Sequence, residues 1–135
     1  MIALDMLKRH EWYRQKPYHC TEGRLTVGYG RNLDDRGISQ AEAEYLLKND
    51  INEAVKELQK LPCWLKLNEA RQAVLINMAV NLGVNGLLQF RKMLDAVNRE
   101  DWQGAVFEMR NSKWAKQLPT RSAELQGIML SGKAE

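Results

Sequence analysis

Apolar residues follow a helical spacing over most of the chain and an alternating spacing in one short segment. Residues 2–11 carry an apolar stripe that predicts a short helix, and Pro17 prevents its continuation. Residues 24–29 alternate Arg, Thr and Gly with Leu, Val and Tyr, as a strand does, and a Thr-Glu-Gly turn precedes them. A small β-hairpin is therefore predicted over residues 17–31.

A long helix is predicted after a loop at residues 34–37. Ser39 and Glu42 have the spacing of a capping box, in which each side chain accepts from the backbone amide of the other residue. Apolar side chains then recur on one helix face to about residue 59, and Pro62 prevents continuation. We expect this helix to link two lobes.

The second half of the chain has the pattern of a helical bundle around one central helix. Residues 68–82 are apolar nearly all round, with Asn68 as N-cap and Gly83 after the last turn, which is typical of a buried helix. Further helices are predicted over residues 87–99, 102–110 and 120–130, with Asp101 and Thr120 as N-caps of the last two.

These elements predict an α+β fold that is mostly helical. A chain of 135 residues makes a single domain by length. A hairpin lobe is expected at residues 12–38 and a linker helix at 39–59. A helical lobe is expected at 60–135, with the helix at 2–11 packing against it.

Composition fits an ordered protein. The chain is 44% hydrophobic and 27% charged, unlike a disordered chain. No apolar stretch is long enough to cross a bilayer, so no stable membrane insertion is expected. The N-terminal residues lack the apolar core of a signal peptide, so synthesis in the host cytoplasm is expected. Cys20 and Cys63 are expected to be free thiols.

The charge balance limits the partners only weakly. Net charge is +3, which suits an acidic partner and leaves cell-wall polymer, nucleic acid and anionic membrane open. No run of like charges forms a nucleic-acid tail, so nucleic acid is not expected. We expect a monomer because no long apolar seam is left over.

Short motifs typical of cofactor sites are incomplete in this chain. The Gly-Tyr-Gly at residues 28–30 lacks the third glycine and the following helix of a nucleotide site. His10 and His19 lack partners at zinc spacing, and the segment from Asn32 lacks the ligands of a calcium loop. No metal or other cofactor is expected.

Three side chains near the hairpin suit acid catalysis with a positioned water. Cys20 and Thr26 follow Glu11 by 9 and 15 residues, so a helix end beside a hairpin would bring all three to one cleft. A carboxylic acid there protonates a leaving oxygen while a thiol and a hydroxyl hold a water opposite it. Spacing alone equally allows a solvated Glu11, a packed thiol at Cys20 and an ordinary strand residue at Thr26.

The segment from Glu11 to Leu33, EWYRQKPYHCTEGRLTVGYGRNL, resembles the phage lysozyme family, the muramidase endolysins. That family has a Glu, eight residues, an Asp or Cys, five residues and a Thr, the spacing found here for Glu11, Cys20 and Thr26. The Thr-Glu-Gly turn and the Thr-Val-Gly-Tyr-Gly strand match as well. Further resemblance around Asn81 and Arg121 extends it over roughly residues 2–130.

The resemblance implies a lysozyme-like fold and a glycoside hydrolase. Glu11 would be the general acid, and Cys20 and Thr26 would position the water that attacks with inversion. The substrate would be the β-1,4 bond between N-acetylmuramic acid and N-acetylglucosamine in bacterial peptidoglycan. Candidate substrate contacts are Asn32, Asn81 and Arg121, and Arg121 is also expected to orient Glu11. Asn81 equally reads as a helix-end residue, and Asn32 as a turn residue.

The same resemblance leaves alternatives open. The usual Asp is Cys20 here, the usual Gly after the catalytic Glu is Trp12, and the usual His after Gly-Tyr-Gly is Arg31. Cys20 as a thiolate would be a nucleophile or base, and a lytic transglycosylase would need Glu11 alone. A weakened wall-binding module is the non-enzymatic alternative, because Trp12 would crowd the cleft.

Delivery to the wall is a further expectation. A protein made in the host cytoplasm would need a pore-forming holin to reach the periplasm. The sequence leaves open whether the wall is cut for lysis at the end of infection or for entry at its start.

Overall fold

The first helix, α1, spans Ile2–Glu11, as its apolar stripe predicts. The computed structural model describes residues 1–135. It has nine α-helices, one 3₁₀ helix and one three-stranded antiparallel sheet, which confirms the predicted α+β class. Its contacts divide it into two compact units, Met1–Leu46 and Leu47–Glu135, which we call unit 1 and unit 2. The packing of α1 against residues 60–135 stays a prediction.

The sheet of unit 1 is larger than the predicted hairpin. Its strands are β1 (Arg14–His19), β2 (Leu25–Gly28) and β3 (Arg31–Asn32). Thr26 lies opposite Tyr18 of β1 and Asn32 of β3, so it occupies the middle of the sheet. Pro17 lies inside β1, where the register with β2 is irregular and no ladder amide is needed.

A short helix replaces the predicted loop at residues 34–37. Helix α2 spans Leu33–Arg36, and the Asn32 side chain caps it by accepting from the amide of Asp35. The prediction was wrong because this cap and two acidic residues in the first turn stabilise one turn of helix. Helix α3 then spans Gln40–Leu58, close to its predicted bounds.

The predicted capping box opens α3. The Glu42 amide donates to Ser39 Oγ at 3.1 Å, and the Ser39 amide donates to Glu42 Oε1 at 2.8 Å. This cap satisfies two of the backbone amides that a helix start leaves unpaired. The helix ends at Leu58, before Pro62.

Unit 2 is a bundle of short helices. A 3₁₀ helix at Trp64–Lys66 precedes α4 (Glu69–Leu82), α5 (Val84–Leu88), α6 (Arg91–Asn98), α7 (Trp102–Arg110), α8 (Lys113–Gln117) and α9 (Pro119–Ser131). Asn68 and Asp101 cap α4 and α7 through their side chains, as predicted. Helix α4 buries Val74, Leu75, Met78 and Ala79 in the core, but Val80 is 37% exposed, so only one face is buried and not nearly the whole helix as predicted.

Two helix predictions in unit 2 were wrong. The single helix predicted over 87–99 is the pair α5 and α6, separated at Gln89 and Phe90. Thr120 is not an N-cap: α9 begins one residue earlier, because Pro119 fits the first helical position and Leu118 precedes it. No helix of the structure has the length and apolar character that crossing a membrane requires.

The start of α4 is fastened to the end of α9. Arg71 Nε donates to the carbonyl of Met129 at 2.8 Å, and Arg71 Nη2 donates to that of Leu130 at 3.0 Å. The Arg71 guanidinium also lies 3.8 Å from the ring centroid of Trp102. One arginine therefore connects three helices of unit 2.

Candidate active site

Glu11 is the last residue of α1, and its side chain lies against the turn between β2 and β3. A Cβ built on Gly30 would stand 2.8 Å from Glu11 Oε2 and 3.3 Å from Glu11 Cδ. A side chain at position 30 would therefore push the end of the flexible Glu11 side chain out of its present position. Gly30 also has a φ of 80°, in the left-handed region.

Trp12 follows Glu11 with a φ of 48°, which is rare for a residue with a side chain. This backbone conformation ends α1 and directs the chain into β1. The glycine usual at this place in the resembling family adopts it without strain. Trp12 is 77% exposed, so its indole gains little burial in return for about 1 kcal/mol of backbone strain.

Cys20 begins the turn between β1 and β2. Its amide donates to the carbonyl of Arg24 at 2.9 Å, and its carbonyl accepts from the amide of Gly23 at 2.8 Å. Backbone hydrogen bonds from Arg24 and Glu22 lower the pKa of the Cys20 thiol, and a side-chain hydrogen bond with Thr26 lowers this pKa further. The turn therefore favours the thiolate of a half-exposed cysteine.

Thr26 is buried in the sheet, with 4% of its surface exposed. Its Oγ1 donates to the Arg24 carbonyl at 2.9 Å, and its side chain also pairs with the Cys20 thiol. The structure thus brings Cys20 and Thr26 together, in place of the exposed strand residue that Thr26 alone would suggest. A thiol and a hydroxyl side by side can both hydrogen-bond one water molecule.

Asn32 uses both polar atoms of its amide within unit 1. Its Oδ1 accepts from the Asp35 amide at 3.0 Å, and its Nδ2 donates to Asp35 Oδ2 at 2.9 Å. The side chain therefore caps α2. A bound sugar would have to share or replace these hydrogen bonds, so the turn-residue interpretation of Asn32 accounts for its present contacts.

Asn81 and Arg121 line the same cavity of unit 2, which has a volume of about 630 Å³. Asn81 Oδ1 accepts from Trp114 Nε1 at 3.0 Å, so it satisfies the polar atom of a buried indole. Arg121 lies in the first turn of α9 and also lines a second cavity of about 680 Å³, with Asn77, Gln117 and Thr120. These two residues form the candidate binding surface of unit 2.

Arg31 forms a contact that the sequence did not reveal. Its Nη1 donates to Glu42 Oε1 at 2.8 Å and to the Gly37 carbonyl at 3.2 Å, and its Nη2 lies 2.7 Å from Glu42 Oε2. The hydrogen bond from Arg31 is the main cause that lowers the pKa of Glu42 to about 2. A bidentate arginine–carboxylate pair therefore fixes β3 to the start of α3.

Gly30 and the Arg31–Glu42 pair are the residues that sequence reasoning missed. The Gly-Tyr-Gly at residues 28–30 was considered only as an incomplete nucleotide motif and as part of the resemblance, and nothing in it indicated the close approach of Glu11. Arg31 was noted only as a departure from the family pattern. Its partner is 11 residues away, which no local spacing rule connects.

Comparison with known proteins identifies similar chains. Residues 8–135 match the family model described as phage lysozyme. The chain is 29% identical over 158 residues to probable T4-type lysozyme 1 of Dictyostelium discoideum, covering 95% of this chain and 93% of that protein. It is 30% identical over 138 residues to an endolysin of Acyrthosiphon pisum secondary endosymbiont phage 1, covering 98% and 91%.

A third similar protein is much longer than this chain. The pre-baseplate central spike protein of Enterobacteria phage T4 is 29% identical over 164 residues, which covers 100% of this chain and 28% of that protein. The resemblance carried by Glu11, Cys20 and Thr26 in the sequence is thus matched by similarity over nearly the whole chain.

Proposed function

The chain belongs to the phage lysozyme family, and we propose on that basis that it is an endolysin that hydrolyses peptidoglycan. The bond cut is the β-1,4 linkage between N-acetylmuramic acid and N-acetylglucosamine. The family match and the endolysin among the relatives support a lysozyme-type glycosidase. The close approach of Glu11 to Gly30 and the pairing of Cys20 with Thr26, all within unit 1, support the proposed chemistry.

Glu11 is the general acid in this proposal. It protonates the glycosidic oxygen as the bond to the anomeric carbon breaks, so the leaving sugar departs as a neutral alcohol. The Gly30 backbone bounds one side of the carboxyl group and limits its movement. Such positioning is worth several kcal/mol of the barrier when an acid is held in the reacting geometry.

Cys20 and Thr26 position the attacking water. The water oxygen attacks the anomeric carbon from the face opposite the leaving group, which inverts the configuration. The water's proton passes to the Cys20 sulfur when that group is a thiolate, and the lowered pKa of Cys20 supports this. Thr26 keeps the sulfur in place through its side-chain hydrogen bond.

Asn32, Asn81 and Arg121 are the proposed substrate contacts. Arg121 carries a positive charge at a cavity of unit 2, which suits the carboxylates of the muropeptide. The structural contacts of Asn32 and Asn81 make them weaker candidates than Arg121. We propose that Arg121 also orients Glu11, and an NMR titration of Glu11 that Arg121→Ala leaves unchanged would count against this.

The relatives include both an endolysin and a central spike protein, at 30% and 29% identity, so the proposal covers wall cleavage for lysis or for entry. We propose that it acts as a monomer on the wall in the periplasm, after release from the cytoplasm through a holin.

A lytic transglycosylase is the second candidate, favoured by one observation. The group paired with Thr26 is a thiol and not a carboxyl group, and the fraction of Cys20 that stays a neutral thiol cannot take a proton from water as the carboxylate of a two-carboxylate glycosidase does. In that reaction the O6 of N-acetylmuramic acid attacks the anomeric carbon of its own sugar while the bond to the next sugar breaks. Glu11 gives its proton to the leaving oxygen, and the carboxylate so formed takes the proton of the O6 hydroxyl. The product then ends in an anhydro-sugar and no water is consumed.

The test follows the turbidity of outer-membrane-permeabilised Gram-negative cells and the products from purified wall. Wild type should clear the cells, Glu11→Gln should not, and Cys20→Ser should be slower. Mass spectrometry separates hydrated ends from anhydro ends, and NMR of fresh products separates inversion from retention. Retention would make Cys20 or a neighbour a nucleophile. Binding to wall without release of fragments would contradict the enzyme proposal.

A further inference from the structure

We propose that Arg31 and Glu42 are positioning residues for Glu11, acting through the backbone of Gly30. This inference rests on the proposed function in one respect only, the role of Glu11 as the acid. The pair is part of unit 1, as are Glu11 and Gly30. Neither side chain of the pair is assigned a contact with substrate.

The end of the Glu11 side chain lies against the backbone of Gly30. A Cβ built on Gly30 would stand 2.8 Å from Glu11 Oε2. A movement of the Gly30 backbone would therefore change the space that the carboxyl group occupies. Gly30 lies in the turn between β2 and β3, which is held by only two residue pairs, Thr26 with Asn32 and Val27 with Arg31.

The Arg31 side chain restrains this turn further, in addition to the two residue pairs. Arg31 is the residue directly after Gly30 and forms a fork of hydrogen bonds with Glu42 at 2.8 Å and 2.7 Å. A third hydrogen bond joins Arg31 to the Gly37 carbonyl at 3.2 Å. A planar guanidinium held on three oxygens has little freedom to rotate, so the Arg31 side chain ties the end of this turn to Gly37 and Glu42.

The position of Glu42 is restrained by its own hydrogen bonds with Ser39. Its Oε1 accepts from the Ser39 amide as well as from Arg31, and its own amide donates to Ser39 Oγ. Glu42 therefore both caps α3 and holds Arg31. A continuous set of contacts runs from the start of α3 through Glu42, Arg31 and Gly30 to the Glu11 carboxyl group.

A positioning role predicts a loss in turnover without a loss in binding. A shift of about 1 Å in a reacting group is enough for a rate loss of ~10²-fold, so we expect kcat to fall by ~10-fold or more in Arg31→Gln. KM should stay within about two-fold, because no substrate contact is removed. Arg31→Lys should recover part of kcat, since a lysine keeps the charge but not the fork.

The experiment combines kinetics on purified wall with NMR of the Glu11 side-chain carboxyl in the full chain. The variants are Arg31→Gln, Arg31→Lys and Glu42→Gln, which keeps an oxygen for the Ser39 amide. Arg99→Gln is the matched control, because it removes an arginine from an exposed pair with Asp101 at 4.0 Å in unit 2. The chemical shift of the Glu11 carboxyl carbon should change in Arg31→Gln and Glu42→Gln and stay as in wild type in Arg99→Gln.

The two readouts separate failure of this inference from failure of the proposed function. An inactive wild type would refute the proposed activity, while the NMR comparison still decides whether the pair positions Glu11. An unchanged Glu11 resonance in folded Arg31→Gln and Glu42→Gln would overturn the inference. A kcat of Arg31→Gln and Glu42→Gln equal to that of Arg99→Gln would overturn it as well. If Arg31→Gln does not fold, Glu42→Gln and Arg31→Lys give the same comparison.

Discussion

The carboxyl group of Glu11 lies against the backbone of Gly30, where a side chain at position 30 would displace it. A Cβ on Gly30 would stand 2.8 Å from Glu11 Oε2, a distance that side chains do not adopt. The acid of the proposed reaction is thus placed by a residue that contributes no functional group. A steric contact with the Gly30 backbone, rather than a hydrogen bond, limits where this carboxyl group can lie.

Gly30→Ala should reduce the proposed wall hydrolysis by about 10²-fold, because the new methyl displaces Glu11 from its reacting position. Gly28→Ala is the matched control: Gly28 has a similar φ of 69°, but a Cβ there meets nothing within 4 Å. Both variants should lose about 1 kcal/mol of stability from backbone strain. Rates on purified wall and thermal unfolding measure the two effects. Equal activity in the two variants would show that backbone strain, and not the displacement of Glu11, causes the loss of activity.

The two cysteines should differ sharply in reactivity. Hydrogen bonds from the turn lower the pKa of Cys20, whereas burial raises the pKa of Cys63. Iodoacetamide should therefore alkylate Cys20 first, and this alkylation should stop the proposed hydrolysis. Mass spectrometry after short exposures at several pH values locates the label. Thr26→Val should move the pH midpoint of Cys20 alkylation upward, because one stabilising hydrogen bond is lost. A midpoint that does not move would remove Thr26 from this network.

Stability in acid should depend on Glu42. Its folded-state pKa is lowered from 4.5 to about 2, mainly by the Arg31 hydrogen bond. A lowered pKa stabilises the fold above pH 4.5, and this contribution is lost as the pH falls from 4.5 towards 2. Glu42→Gln should therefore unfold at a lower temperature than wild type at pH 7, and the difference should shrink through that window. Glu53→Gln, on the same helix and outside this network, should show no such trend.

Asn81 should matter for stability through its contact with Trp114. Asn81→Ala leaves the buried indole N–H without its partner, which should cost about 1–3 kcal/mol in the free energy of unfolding. Asn81→Asp keeps an oxygen acceptor and should lose less. Urea unfolding monitored by tryptophan fluorescence measures both variants. A change in KM for Asn81→Asp with unchanged stability would instead support the proposed sugar contact.

Arg71 should be the most sensitive arginine of unit 2. Arg71→Lys loses the fork to the Met129 and Leu130 carbonyls and weakens the stacking on Trp102. We expect a loss of about 1–2 kcal/mol in unfolding free energy. Arg110→Lys, at an exposed position on α7, should change stability by less than about 0.5 kcal/mol. Similar losses in both variants would contradict the importance of the contacts to α9.

Local chemistry made the helix starts predictable, and long-range contacts made much of the site unpredictable. Ser39, Asn68 and Asp101 cap their helices as expected, because a cap depends only on residues within one turn. The prediction for Thr120 failed because Pro119, one position earlier, begins the helix itself. In the site, the pairing of Cys20 with Thr26 follows from a hairpin, which alternation predicts. The partners of Arg31 and Asn81 required the fold.

Gly28, at the end of β2, and Gly30, in the turn that follows, limit sequence change over evolution in different ways. Gly28 has a positive φ and open space around it, so asparagine, which tolerates that conformation, is an acceptable replacement. Gly30 has a positive φ and also lies against the Glu11 carboxyl group. A homologue that replaces Gly28 can therefore keep the acid where it is. A homologue that replaces Gly30 has to place the acid differently.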